Sequence, residues 1–137
     1  MFCAAIGCES ENERLGIFNA GGQKPITSSV SKKMNTVSIL FGNEQAMESA
    51  IKGLPFNGDE IFTLVTWNQE HKKFWYPGLI NGRVKSIEVV KMTLLNNKVQ
   101  PFYKLIEGQA PYSQANRPFT KWERIQYITR QKASIYP

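Results

Sequence analysis

Thr36-Val37-Ser38-Ile39-Leu40-Phe41 alternates in side-chain character, and Asn43-Glu44-Gln45-Ala46-Met47-Glu48-Ser49-Ala50-Ile51-Lys52-Gly53 follows it with the punctuation of a short helix. Alternation with period two puts Val37, Ile39 and Phe41 on one face, as in a half-buried strand. In the second string Asn43 is a natural N-cap, and Ala46, Met47, Ala50 and Ile51 fall on one face of a 3.6-residue repeat. Glu44 in the first turn and Lys52 in the last complement the helix dipole, and Gly53 supplies the left-handed stop. The punctuation along the chain points to an α+β domain rich in strands.

Working outward, Pro55-Phe56-Asn57-Gly58-Asp59 is a turn. Two apolar runs follow, Ile61 to Trp67 and Phe74 to Ile80, separated by Asn68-Gln69-Glu70-His71-Lys72-Lys73. They read as a hairpin with a long loop, with Pro77 restricting the second strand to an edge or an early end. His71 falls in that loop, where a lone histidine is ordinarily solvated. Residues 84–95 satisfy two periods at once. Val84, Ile87, Val90 and Leu94 fit a helix, whereas Ile87 and Val89 fit a strand.

Toward the end, Asn116 or Thr120 can cap a helix running through Phe119 to Ile128, and Thr120 with Glu123 forms a capping box. Its apolar positions Phe119, Trp122, Ile125 and Ile128 step by three, which leaves Arg124, Arg130 and Lys132 to solvent. At 137 residues the chain holds one core, so residues 1–137 are expected to form a single strand-rich domain with a short central helix and a C-terminal helix.

Charge is distributed unevenly. Residues 1–70 carry five Lys or Arg against eight Asp or Glu, a net of −3; residues 71–137 carry twelve against three, a net of +9. A basic half of this kind suits a polyanion, whose condensed counterions are released on binding. Aromatics accompany the cations: Phe74, Trp75 and Tyr76 follow Lys72-Lys73, and Trp122 lies between Lys121 and Arg124. Such interleaving can stack bases while neutralising phosphates, although each aromatic equally suits a core.

Other chemistries are poorly served. Cys3, Cys8 and His71 fall short of the four ligands of structural zinc, so no metal or cofactor is expected. The chain has no Walker phosphate loop, no GxGxxG turn, no HExxH helix and no GxSxG elbow. No apolar run reaches membrane-spanning length, and the N-terminus lacks the basic region of a signal peptide, so a cytoplasmic protein with reduced thiols is expected.

Three strings, in order, resemble the SRAP family, the SOS-response-associated peptidase-like proteins that process abasic sites. They are Cys3; Ile17-Phe18-Asn19-Ala20-Gly21-Gly22-Gln23-Lys24-Pro25; and Leu79-Ile80-Asn81-Gly82-Arg83-Val84, preceded by a tryptophan-containing stretch from Trp67 to Trp75. Arg130 to Pro137 is similar to the basic strand that comes before the family's glutamate segment. The resemblance implies attack by the thiol and α-amine of an N-terminal cysteine, Cys3, on the aldehyde of an abasic site in single-stranded DNA, closing a thiazolidine ring. It implies that Asn19 organises that site and that Asn81 and Arg83 hold the DNA, Arg83 by its forked donors. Phe2 stands before Cys3, and methionine removal ahead of Phe is not expected, so binding without crosslinking is the simpler expectation. The residue-level reading of Cys3 is a small buried apolar residue beside Ala4, Ala5 and Ile6.

The function expected is nucleic-acid binding, with Lys72, Lys73, Trp75, Lys121 and Arg124 joining Asn81 and Arg83 in the interface. Two alternatives stay open. One is an interaction or inhibitor protein presenting a basic face to an acidic protein, and the other is a module binding a small anion such as a nucleotide.

Overall fold

The computed structural model describes residues 21–53, 55–71, 79–109 and 119–133; for residues 70–71 and 79–83 it describes the backbone pairing alone. Five antiparallel strands form a meander in sequence order: β1 (Lys24–Ser31), β2 (Thr36–Gly42), β3 (Ile61–His71), β4 (Leu79–Leu95) and β5 (Lys98–Gly108). Helix α1 (Glu44–Lys52) connects β2 to β3, and α2 (Lys121–Thr129) follows β5. The domain is therefore α+β, with both expected helices present.

One face of the sheet holds the core. Leu40, Phe62, Leu64, Val90 and Met92 pack with Ile26, with Ala46 of α1 and with Ile125 and Ile128 of α2. Register explains the grouping, because Leu40 pairs with Leu64 and Phe62 with Val90, so their side chains stand on one side of the pleat. Val37, Ile39 and Phe41 do share a face, as expected, but it is the opposite one, and they are only half-buried there. On β2 the deeper burial belongs to Thr36, Leu40 and Gly42. At Gly42 a Cβ would lie 2.5 Å from Ile26 Cδ1 and 2.9 Å from Ala46 Cβ, so a residue without a side chain at that position lets α1 approach the sheet.

The start of α1 is knotted to the start of β3 by Asn43. Its Oδ1 accepts from Ala46 N at 2.9 Å and from Ile61 N at 3.1 Å, while its Nδ2 donates to the Asp59 carbonyl at 2.8 Å. Gly53 ends the helix at φ 68°, donating to the Ser49 carbonyl. Of the expected apolar face, Ala46, Met47 and Ala50 meet the core and Ile51 remains exposed. Between α1 and β3, the buried Glu60 carboxylate accepts from the Asn57 and Gly58 amides at 2.9 to 3.2 Å, which holds the expected turn. Replacing Asn43 with alanine removes a cap and strands the Ile61 amide, so the variant is expected to lose about 2 kcal/mol in urea unfolding. Asn43→Asp, which keeps the acceptor, should lose less.

Residues 84–95 are strand. They lie in β4, a strand of 17 residues that pairs with β3 from Leu79 to Lys91 and with β5 from Ser86 to Leu95. A hairpin joins β3 and β4, but with other bounds than expected: Asn68 to His71, expected in the loop, form the end of β3 with His71 opposite Leu79, and the second strand is the long β4, paired on both sides rather than at an edge. The run from Phe74 to Gly78 lies outside the described residues. A second hairpin joins β4 to β5 through Asn96 and Asn97, at φ 52° and 63°, the left-handed pair that a two-residue turn of matching twist requires. At the C-terminal helix, Thr120 and Glu123 form the expected reciprocal box, with bonds of 3.1 and 2.9 Å. Asn116 lies outside the described residues.

Candidate nucleic-acid interface and adjoining cleft

Arg124 departs most from expectation. Instead of facing solvent it is 5% exposed. Its Nε and Nη2 donate to the two oxygens of Glu88, each at 2.7 Å, and Glu88 itself is fully buried in β4. Tyr103 of β5 donates a third bond to Glu88 Oε1 at 2.7 Å. The guanidinium also lies 5.4 Å from the Phe119 ring centroid and 5.0 Å from that of Tyr127. Burial works against the charge of Arg124, but the hydrogen bonds and attraction of Glu88 outweigh it and hold the pKa above its ordinary value. Burial and then the Glu88 carboxylate raise Tyr103 far above the usual phenol range, so it stays a donor. With its charge matched at a bidentate carboxylate and its side chain buried, Arg124 is not the solvent-facing cation expected. It ties α2 to the sheet.

The other expected interface residues divide by position. Lys121 is exposed in the first turn of α2, and Trp122 beside it is exposed. Arg130 and Lys132 are exposed as expected, though Arg130 caps α2 rather than beginning a strand. Asn81 pairs with Gln69 along the far part of β4, two residues before Arg83 in the same strand. Cys3, Asn19, Lys72, Lys73 and Trp75 lie outside the described residues. Among the described residues, no group of three His, Cys, Asp or Glu could hold a metal ion, and no helix is long and apolar enough to cross a membrane.

A cationic surface outside the expected interface residues stands on β4 and β5. Lys91 pairs with Phe102, Lys98 with Leu95, and Lys104 with Val89. Alternation places Lys91, Lys98, Phe102 and Lys104 on the face of the sheet away from the helices, because their neighbours Val90, Met92 and Tyr103 point to the core side. All three lysines are exposed, and Phe102 among them is 56% exposed. The signal was present in the alternation from Lys98 to Lys104, once Asn96-Asn97 is read as a turn.

On the helix side of the sheet, the apolar core gives way to hydroxyls toward the β1–β2 turn. There a cleft of about 440 Å³ opens between the sheet and α2. Its sheet wall carries Ser29, Ser31, Thr36, Ser38 and Thr66, with Ser38 and Thr66 hydroxyls 3.0 Å apart. Phe119, Arg124 and Tyr127 form the helix wall, and Lys33 and Lys85 complete the lining. Lys85 is present because the ladder slips there: Thr66 pairs with Ser86 and Trp67 with Val84, leaving Lys85 as the extra residue of a bulge.

No protein-family model matches the chain, and no curated protein matches it significantly.

Proposed function

We propose that the protein binds single-stranded nucleic acid, and that the outward face of the β4–β5 hairpin is the binding surface. The observation that supports this reading most is the exposed Phe102 set among Lys91, Lys98 and Lys104. A base can stack on the ring while the ammonium groups neutralise neighbouring phosphates, and neither contact reads sequence. Lysines suit such tolerant binding, since each is a mobile point charge rather than a planar fork. Lys121, exposed at the start of α2, and the basic residues between β3 and β4 add to the positive field that draws the strand in.

Lysines on an edge strand have a second use, since β5 ends the sheet and charge there deters pairing with another chain. The two uses separate on Phe102, which edge protection does not need. Phe102→Ala is expected to weaken binding of a fluorescent single-stranded oligonucleotide by about 1–3 kcal/mol without changing its salt dependence. Unchanged affinity in that variant would assign the lysines to edge protection alone. Running an oligonucleotide with one abasic site on a denaturing gel extends the test to the chemistry implied by the SRAP resemblance: binding without a covalent band is expected, and a band lost in Cys3→Ala would instead establish crosslinking.

A further inference from the structure

We infer that the cleft between the hydroxyl-bearing end of the sheet and α2 is a second binding site, separate from the hairpin surface, for a nucleoside monophosphate unit. It lies on the opposite side of the sheet, and its volume of about 440 Å³ falls among those of small-ligand pockets. Three features define what it would take.

The first is charge. Among the described residues no carboxylate lines the cleft, while Lys33 and Lys85 do, and Arg124, also in the lining, is matched by Glu88. Among those residues neither lysine ammonium has an ion-pair partner, which calls for an anion. The second is hydrogen bonding at depth. Arg124 lines the cleft while 5% exposed, and its Nη1 makes no hydrogen bond among the described residues. The hydroxyls of Ser29 and Thr36 likewise make none among them, and Thr36 is buried. Donors left open at a buried wall suit an oxygen-rich group such as a phosphate or a ribose. The third is a flat apolar surface. Phe119 and Tyr127 line the cleft together with Leu64 and Met34, with the Arg124 guanidinium over both rings, and rings in such a lining are surfaces on which a base can stack.

A bare phosphate would use only the first two features, and a nucleoside only the last two. A nucleotide unit uses all three, either as a free mononucleotide or as the phosphorylated end of a strand.

The four nucleoside monophosphates, the corresponding nucleosides and inorganic phosphate would be titrated into the full chain by calorimetry. Saturable binding of at least one monophosphate is expected, with its nucleoside and inorganic phosphate each weaker by at least about tenfold. Lys33→Gln with Lys85→Gln should weaken the monophosphate by a similar factor. Ser29→Trp, which fills the cleft from exposed β1 without altering charge, should abolish binding. Each variant would be checked for an unchanged thermal melt. The triple variant Lys91→Gln, Lys98→Gln and Lys104→Gln should bind the monophosphate like the parent, so failure of the hairpin surface and failure of the cleft are read apart. Competition by a 5′-phosphorylated oligonucleotide but not by its 5′-hydroxyl form would identify a strand end as the occupant, whereas no competition by either would identify the free nucleotide. The inference is overturned if no monophosphate binds, or if monophosphate binding survives both Ser29→Trp and the Lys33/Lys85 double variant.

Discussion

Arg124→Ala is expected to cost about 3–5 kcal/mol, because it leaves the fully buried Glu88 carboxylate without its cation. Total stability for a domain of this kind is about 5–15 kcal/mol, so the variant should be partly unfolded or nearly so under mild conditions. Urea denaturation followed by circular dichroism would read the loss. Arg124→Lys should recover little, since a single ammonium cannot reproduce the paired bonds from Nε and Nη2 to the two carboxylate oxygens. Removing all the polar partners together is a different matter. Glu88→Leu, Arg124→Leu and Tyr103→Phe leave no orphaned charge, and the triple variant should be markedly more stable than Arg124→Ala alone. If Arg124→Ala unfolds at the same urea concentration as the parent, α2 is not held to the sheet by this pair.

Gly108→Ala is expected to be the most damaging glycine substitution near the end of the meander. A Cβ there would lie 1.8 Å from the Lys85 carbonyl oxygen and 2.7 Å from its carbon, and the backbone sits at φ 77°. Both obstacles are backbone atoms, so no side chain can turn aside. The end of β5 must leave β4 or the bulge at Lys85 must reshape, at a cost of about 3 kcal/mol. Gly53→Ala is the control. Gly53 has nearly the same φ, 68°, but open space around it, so only the left-handed strain of about 1 kcal/mol applies. Equal losses in the two variants would mean that close approach at Gly108 contributes nothing.

Much of the fold was legible where a local signal decided the outcome. Asn43 and Gly53 bracket α1, and Thr120 with Glu123 begins α2, because caps are chosen by backbone groups a few residues away. Residues 84–95 were ambiguous for a physical reason. Their core-side positions are Ser86, Glu88, Val90 and Met92, and two of the four are polar, so the period-two pattern is hidden from a hydrophobicity reading. What makes Glu88 acceptable inside is Arg124, a residue 36 positions away in another element. The same pairing is why Arg124 reads from the sequence as a surface cation. A charge reads as solvent-facing until its partner is known.

The candidate surfaces show the same division. Net charge directs attention to the second half of the chain, but charge counts do not say which side of a sheet a lysine occupies. Lys91, Lys98 and Lys104 come together with Phe102 only through the β4–β5 register, and Lys85 joins the cleft lining at a bulge in the β3–β4 ladder. Cys3, Asn19, Lys72, Lys73 and Trp75 remain expectations drawn from the sequence.

The most direct test of nucleic-acid binding by the hairpin face is fluorescence anisotropy with a single-stranded oligonucleotide across a salt series, comparing the parent with Lys91→Gln, Lys98→Gln and Lys104→Gln combined. Each phosphate contact contributes a slope of about −0.7 in log affinity against log salt, so the triple variant should bind more weakly with a slope shallower by about 2. Binding that is absent or insensitive to salt in the parent, or an identical slope in the two proteins, would contradict the proposed function.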